Sequence, residues 1–236
     1  MVDRVTDVNG LKVHYRTGGK GPHLLLLHGF TLSGELWTSY LPGLQEKYTV
    51  LVPDLPGHGS SEAAPGPYSF AATASQLFAL LDQLEVGRCY GIGHSAGAIT
   101  LLHMATQHPV RLQAMMLVSG AHRLDAAGRK KLMEDRLELA DQALLDYYLR
   151  IHPGGKGQLQ HLFALENELA ENFYKHELSP AQLATIPVPT MLVIGDRDPF
   201  FTVDIGVELY QSLPDASLWT VPNQGHTPIW QELGGS

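Results

Sequence analysis

Short, uninterrupted apolar runs alternate along this chain with segments whose apolar residues recur every three or four positions. The runs are Leu24–Leu27, Tyr48–Val52, Ala114–Val118, Thr190–Ile194 and Ser217–Val221, and Arg88–Ile92 is a further strand-like stretch. A short apolar run bounded by turn residues predicts a strand buried on both faces of a sheet. Between runs, residues 70, 74, 77, 81 and 84 are apolar and share one helical face. A second helix is expected from Ala96 to about Gln107. Near the start, residues 3–8 and 11–16 flank Asn9-Gly10, a hairpin signature. Strands alternating with helices predict an α/β fold, with a mostly parallel sheet flanked by helices.

Residues 121–186 break that alternation. Met133, Leu137, Ala140, Leu144, Tyr147 and Ile151 predict one helical face, and Leu159, Leu162, Glu166, Leu169 and Phe173 another. His152-Pro153-Gly154-Gly155 separates them. Ser179-Pro180-Ala181-Gln182 reads as an N-cap, a first-turn proline and a capping-box glutamine. The expected organisation is therefore a core of residues 1–120 and 187–236 with an all-helical insertion, 121–186. Leaving the sheet just after one strand, such an insertion is placed to cover the sheet rim as a cap.

Composition narrows the partners. The chain has 236 residues, a formal charge of −8 and no basic cluster larger than Arg129-Lys130-Lys131, so neither nucleic acid nor an anionic membrane is expected. A single cysteine, Cys89, lies within an expected strand and excludes an internal disulfide framework. No apolar leader follows Met1 and no stretch of 18 apolar residues occurs, which reads as a soluble cytoplasmic protein. Twelve histidines form no paired ligand motif, so no metal is expected. No glycine-rich nucleotide motif follows the first strand, so no cofactor is expected either.

The chemistry centres on Gly93-His94-Ser95-Ala96-Gly97, a G-x-S-x-G sequence between an expected strand and an expected helix. A serine on such a turn is held in strained backbone geometry with its hydroxyl exposed. The helix start also aims free N–H groups and the positive dipole end at Ser95. A neutral serine needs a base, most often histidine, and the base needs a group to fix its tautomer. His226 follows the last expected strand, and Asp196 and Asp198 both follow the strand at 190–194. Ser95, acid and His226 stand in the chain order of the α/β-hydrolase triad. The oxyanion donors expected are the N–H of Ala96 and the N–H of Phe30, the latter with Gly29 permitting the turn. Trp37, Tyr147, Phe163, Phe173, Phe200 and Phe201 are candidate pocket residues, and His122 and Leu124 join them because they follow the strand at 114–118.

The sequence resembles the α/β-hydrolase superfamily, in its serine-nucleophile branch with a helical cap. The matching motifs are His28-Gly29-Phe30, Asp54-Leu55-Pro56-Gly57-His58-Gly59-Ser60, Gly93–Gly97, Gly195-Asp196-Arg197-Asp198 and Gly225-His226. The resemblance selects Asp198 over Asp196, and assigns Asp54–Ser60, His28, His58 and His94 to structural roles. It implies hydrolysis of a small-molecule carboxylic ester through an acyl-enzyme on Ser95. The alternatives it leaves are a carbon–carbon bond hydrolase, lactonase or perhydrolase with the same triad, and a non-enzymatic small-molecule sensor. Dehalogenases and epoxide hydrolases of this fold carry Asp where Ser95 stands, and are disfavoured. Members usually continue past the histidine into a long terminal helix, whereas this chain ends in Gly234-Gly235-Ser236. The ending reads as truncated or engineered, and implies self-association through the apolar face such a helix would cover.

Overall fold

The computed structural model describes residues 1–134 and 136–230. The reading of Gly234–Ser236 as a truncation lies outside the described residues. Strands β1 (Val2–Val8), β2 (Leu11–Gly19), β3 (His23–Leu27), β4 (Thr49–Pro53), β5 (Cys89–His94), β6 (Leu112–Val118), β7 (Thr190–Gly195) and β8 (Ala216–Val221) form one sheet. Its order is β1-β2-β4-β3-β5-β6-β7-β8. β1–β2 and β2–β4 are antiparallel, and all later pairings are parallel. The hairpin expected at Asn9-Gly10 is present; both residues have positive φ, 55° and 86°, as a type I′ turn demands.

Strand pleating divides the four leucines of β3 between two cores. Leu25 and Leu27 enter the cluster built with α2 (Phe70–Gln83), α3 (Ala96–Gln107) and α8 (Val203–Ser212). Leu24 and Leu26 enter a second cluster on the opposite face, with Leu36, Trp37, Leu41 and Trp230. Residue 41 begins the short helix α1 (Leu41–Gln45). A run apolar at every position thus marks a strand covered on both sides.

Between β6 and β7 the described elements are helical: α4 (Ala126–Glu134), a turn at Leu137–Leu139, α5 (Gln142–Ile151), α6 (Gly155–Glu171), a turn at Phe173–Lys175, and α7 (Pro180–Leu183). The face expected to run from Met133 to Ile151 is not one helix. Asp141 caps a fresh N-terminus, its side chain accepting from Leu144 N–H, so the register resets. Tyr148 and Ile151 are buried, whereas Leu139 and Leu144 are exposed. The capping box at Ser179 and Gln182 is formed as the sequence predicts. Gln158 ties α6 to the core, donating to Gly57 O and Gly59 O at 2.8 and 2.9 Å. Among the described residues no helix is long and apolar enough to cross a membrane.

Packing of α3 on the sheet leaves no room for side chains at two glycines. A Cβ on Gly93 would meet the Gly97 carbonyl at 2.5 Å, and one on Gly97 would meet Leu27 O at 2.5 Å. Both obstacles are backbone, which cannot move without shifting a strand. Gly93→Ala and Gly97→Ala are each expected to cost on the order of 2–4 kcal/mol, read as a lower urea midpoint in equilibrium unfolding. Gly87→Ala meets open space and is the control expected to stay near the parent.

Candidate active site

β5 ends at His94 and α3 begins at Ala96, leaving Ser95 alone to reverse the chain. Its φ is +51° and ψ −117°, a conformation that costs a non-glycine residue on the order of 1–3 kcal/mol. Ser95 N–H donates to Val118 O at 2.9 Å, and Ser95 O accepts from Ile99 N–H at 3.1 Å. Those bonds pin the strained turn between β6 and the first turn of α3.

Two loops at the same rim bring in the acid and the histidine. The loop after β7 carries Asp198, and the loop after β8 carries His226. A Cβ on Gly195 would lie 2.2 Å from Gln224 O and Gly225 O, so only glycine lets the loops touch. Arg197 N–H donates to Gln224 O at 2.9 Å, and the Arg197 guanidinium bonds the Asn223 side chain. His226 Nδ1 donates to Asp198 Oδ2 at 2.9 Å. Asp198 Oδ1 accepts from the N–H groups of Phe200 and Phe201 at 2.9 and 3.1 Å. Burial would push this fully covered carboxyl up; the charge and hydrogen bond of His226 and the two backbone donors outweigh it and hold it below the usual range. Asp196 is exposed and takes no part.

His226 keeps 20% of its side chain exposed and is packed against Phe200 and Phe201, at 4.7 and 6.0 Å between ring centroids. Its backbone is fixed from below, where His94 Nε2 donates to His226 O at 3.0 Å. Ser95 and His226 line one cavity of about 160 Å³, together with Phe30 and Ala96. Among the described residues Ser95 Oγ makes no hydrogen bond to His226; such bonds commonly tighten only when substrate binds. Neither Phe30 N–H nor Ala96 N–H is taken up by a protein acceptor there. Gly29 has an ordinary φ; the left-handed residue of its loop is Thr31, φ +58°. Gly29 is needed for space instead, because a Cβ would meet His94 Nδ1 at 2.7 Å and Ser95 Cβ at 3.2 Å.

The other motif histidines hold backbone. His28 Nδ1 donates to Gly29 O at 2.7 Å and its Nε2 accepts from Leu55 N–H at 2.9 Å. Burial pulls it down to about 4, so it stays neutral. Burial likewise takes His94 down to about 3. His58 Nδ1 donates to Pro56 O at 2.9 Å. Asp54 Oδ2 takes hydrogen bonds from His14 Nδ1 at 2.8 Å and Ser60 N–H at 2.9 Å, and Oδ1 takes one from Gly34 N–H at 2.8 Å.

Phe200, Phe201, Leu124 and Phe173 line the cavity. Four other candidates do not. Trp37 lies in the core on the opposite face of the sheet, 5.2 Å from the Trp230 ring. His122 is buried beside the strand end, where its carbonyl accepts from Leu178 N–H. Tyr147 turns away to stack under Arg150, and the reset register of α5 puts Tyr148 on the wall instead. Phe163 packs between helices with Tyr148, Ile151 and Leu159. The pattern missed Leu132, Tyr148 and Glu166 as wall residues. Glu166 had a signal: it is the one polar position in the apolar series of α6. Among the described residues no group of His, Cys, Asp or Glu is placed to hold a metal ion.

A profile of the alpha/beta hydrolase fold matches residues 22–147, just over half of the chain. An uncharacterised protein of Mycobacterium tuberculosis is 36% identical over 112 residues, which is 48% of this chain and 33% of that protein. The chain thus spans about a third of the length of that relative. Pimeloyl-[acyl-carrier protein] methyl ester esterase of Chromobacterium violaceum is 28% identical, with 93% of this chain and 92% of the relative covered. The solved meta-cleavage product hydrolase of Pseudomonas fluorescens superposes with a TM-score of 0.80 at 20% identity, covering 97% of this chain and 93% of that one. At that identity the likeness is one of fold.

Asp54 gives a pH prediction. Burial alone would raise its carboxyl, but the bond from His14, the nearby His28 ring and the bonds from Ser60 and Gly34 bring it down to about 2. A folded value below the ordinary 3.8 stabilises the fold above pH 4, and that contribution is lost as pH falls toward 2. Asp54→Asn is expected to lose on the order of 2 kcal/mol at pH 7 and to show a shallower fall in urea stability from pH 4 to pH 2 than the parent.

Proposed function

This chain belongs to the α/β-hydrolase fold family, and from that membership and its rim geometry we propose that it is a serine hydrolase acting on carboxylic esters. The observation that carries the reading is the 2.9 Å bond from His226 Nδ1 to the buried Asp198, in a cavity His226 shares with Ser95. Asp198 fixes the tautomer that leaves His226 Nε2 free to act as base. Ser95 Oγ attacks the ester carbonyl while His226 Nε2 takes its proton. The oxyanion is held by the N–H groups of Phe30 and Ala96, with the N-terminal end of α3 adding its dipole. His226 then gives the proton to the leaving alcohol. Water, deprotonated by His226, attacks the acyl-enzyme and releases the acid and Ser95.

The helical segment between β6 and β7 acts as a cap in this reading. Leu132, Tyr148, Glu166, Leu169 and Phe173 from that segment line the cavity opposite the rim, which would exclude water from the acyl-enzyme. The relative named as a methyl ester esterase supports an ester as the bond cleaved.

Hydrolysis of p-nitrophenyl esters of graded acyl length tests it. Ser95→Ala and His226→Ala are each expected to lose at least about 1000-fold in kcat, and Asp198→Asn somewhat less, with melting temperatures near the parent's. Folded variants that keep the parent's rate would remove the proposal.

A further inference from the structure

Past His226 the chain turns at Thr227–Trp230, where Trp230 N–H donates to Thr227 O at 3.1 Å. Trp230 is buried in the core on the opposite face of the sheet, with Leu36 and Trp37. Two hydrogen bonds anchor this segment there. Trp230 Nε1 donates to Leu36 O at 3.1 Å, and the Tyr40 hydroxyl donates to Ile229 O. The Trp230 ring also packs against the rings of Trp37 and Tyr40, at 5.2 and 6.1 Å between centroids.

His94 stands between this anchor and the proposed base. Its ring centroid lies 5.0 Å from that of Trp230 and 5.0 Å from that of His226. Its Nε2 donates to His226 O at 3.0 Å. Gly29 closes in on its Nδ1, so close that a Cβ there would lie 2.7 Å away. A ring packed from these sides has little room to turn. Burial keeps it neutral, so it sets no like charge beside the imidazolium that His226 becomes. A base must stand within hydrogen-bond reach of the proton it takes, and a misplacement of about 1 Å can cost on the order of 100-fold in rate. Asp198 holds the Nδ1 end of the His226 ring. One bond leaves the ring free to pivot about it, so a second constraint has to act on the main chain.

We propose that His94 and Trp230 are positioning residues for His226, together fixing from the opposite face of the sheet where its ring stands relative to Ser95. The proposal rests on the ester-hydrolase reading above. Neither side chain takes part in bond breaking; both act through the His226 main chain.

Turnover of p-nitrophenyl butyrate, with kcat and KM separated and melting temperatures alongside, tests the assignment. His94→Leu fills the space without a donor. It is expected to lower kcat at least about tenfold, with KM within about twofold of the parent. His94→Gln carries an amide N–H to roughly the place of Nε2, and is expected to bring kcat back to within about threefold of the parent. Trp230→Phe keeps a ring and removes the bond to Leu36 O. It is expected to lower kcat at least about threefold with KM held, and it decides the matter if His94→Leu does not fold. A folded His94→Leu or Trp230→Phe protein with the parent's kcat, or a His94→Gln protein no faster than His94→Leu, would overturn the proposal. The tautomer of His226, read from long-range proton–nitrogen NMR spectra of isotope-labelled protein, separates this from the reading beneath it. Suppose no ester is turned over through Ser95. If the Nδ1–H tautomer of His226 then holds in the parent and His94→Gln but becomes mixed in His94→Leu, the ester reading fails and the positioning role stands. If the tautomer in that case is the same in all three proteins, the positioning role falls as well.

Discussion

The close approach of α3 to β3 and β5 is the constraint on which the site depends. Gly93 and Gly97 let backbone rest against backbone, and the chain between them must reverse within one residue. That forces Ser95 to φ +51° and raises its side chain above the sheet end. The strain is held by the surrounding hydrogen bonds to Val118 and from Ile99. Once Ser95 is fixed, Gly29 must also be small, because the loop after β3 runs directly against His94 and Ser95. The two candidate oxyanion donors therefore come from backbone that has no alternative position.

Histidine is used here for two opposite purposes. His28, His58 and His94 are buried, and burial keeps each below its ordinary pKa. Their ring N–H groups bind backbone carbonyls of Gly29, Pro56 and His226. They serve as neutral struts, including the one that supports the His226 main chain. Among these four, His226 is the one whose side chain keeps appreciable exposure, and it is oriented by a buried carboxylate. The same residue type thus scaffolds the rim and, in the proposed mechanism, supplies its base, and solvent access separates the roles.

The sheet and the rim loops were legible in the sequence because their signals are local. Short apolar runs such as Leu24–Leu27, bounded by turn residues, fit strands buried on both faces, and they delivered Ser95, Asp198 and His226 to one end of the sheet. The helical segment was harder to read. Its apolar spacing continued across residues 133–151, but Asp141 restarts the helix and moves the buried face from Tyr147 to Tyr148. Trp37 follows the loop after β3 closely in sequence, yet the chain crosses to the other face of the sheet before reaching it. Which side of the sheet a loop returns to is set by tertiary packing, and spacing along the chain does not encode it. Glu166 was visible as a polar break in an apolar series; what it faces required the fold.

The account stands on Ser95 being a nucleophile activated through His226 and Asp198. The most direct measurement is labelling with a fluorophosphonate ester, followed by intact-mass and peptide mass spectrometry. The account predicts one stoichiometric adduct on the peptide bearing Ser95, abolished in Ser95→Ala and formed far more slowly in His226→Ala. A folded parent that takes no label, or an adduct mapped to another residue, would contradict it.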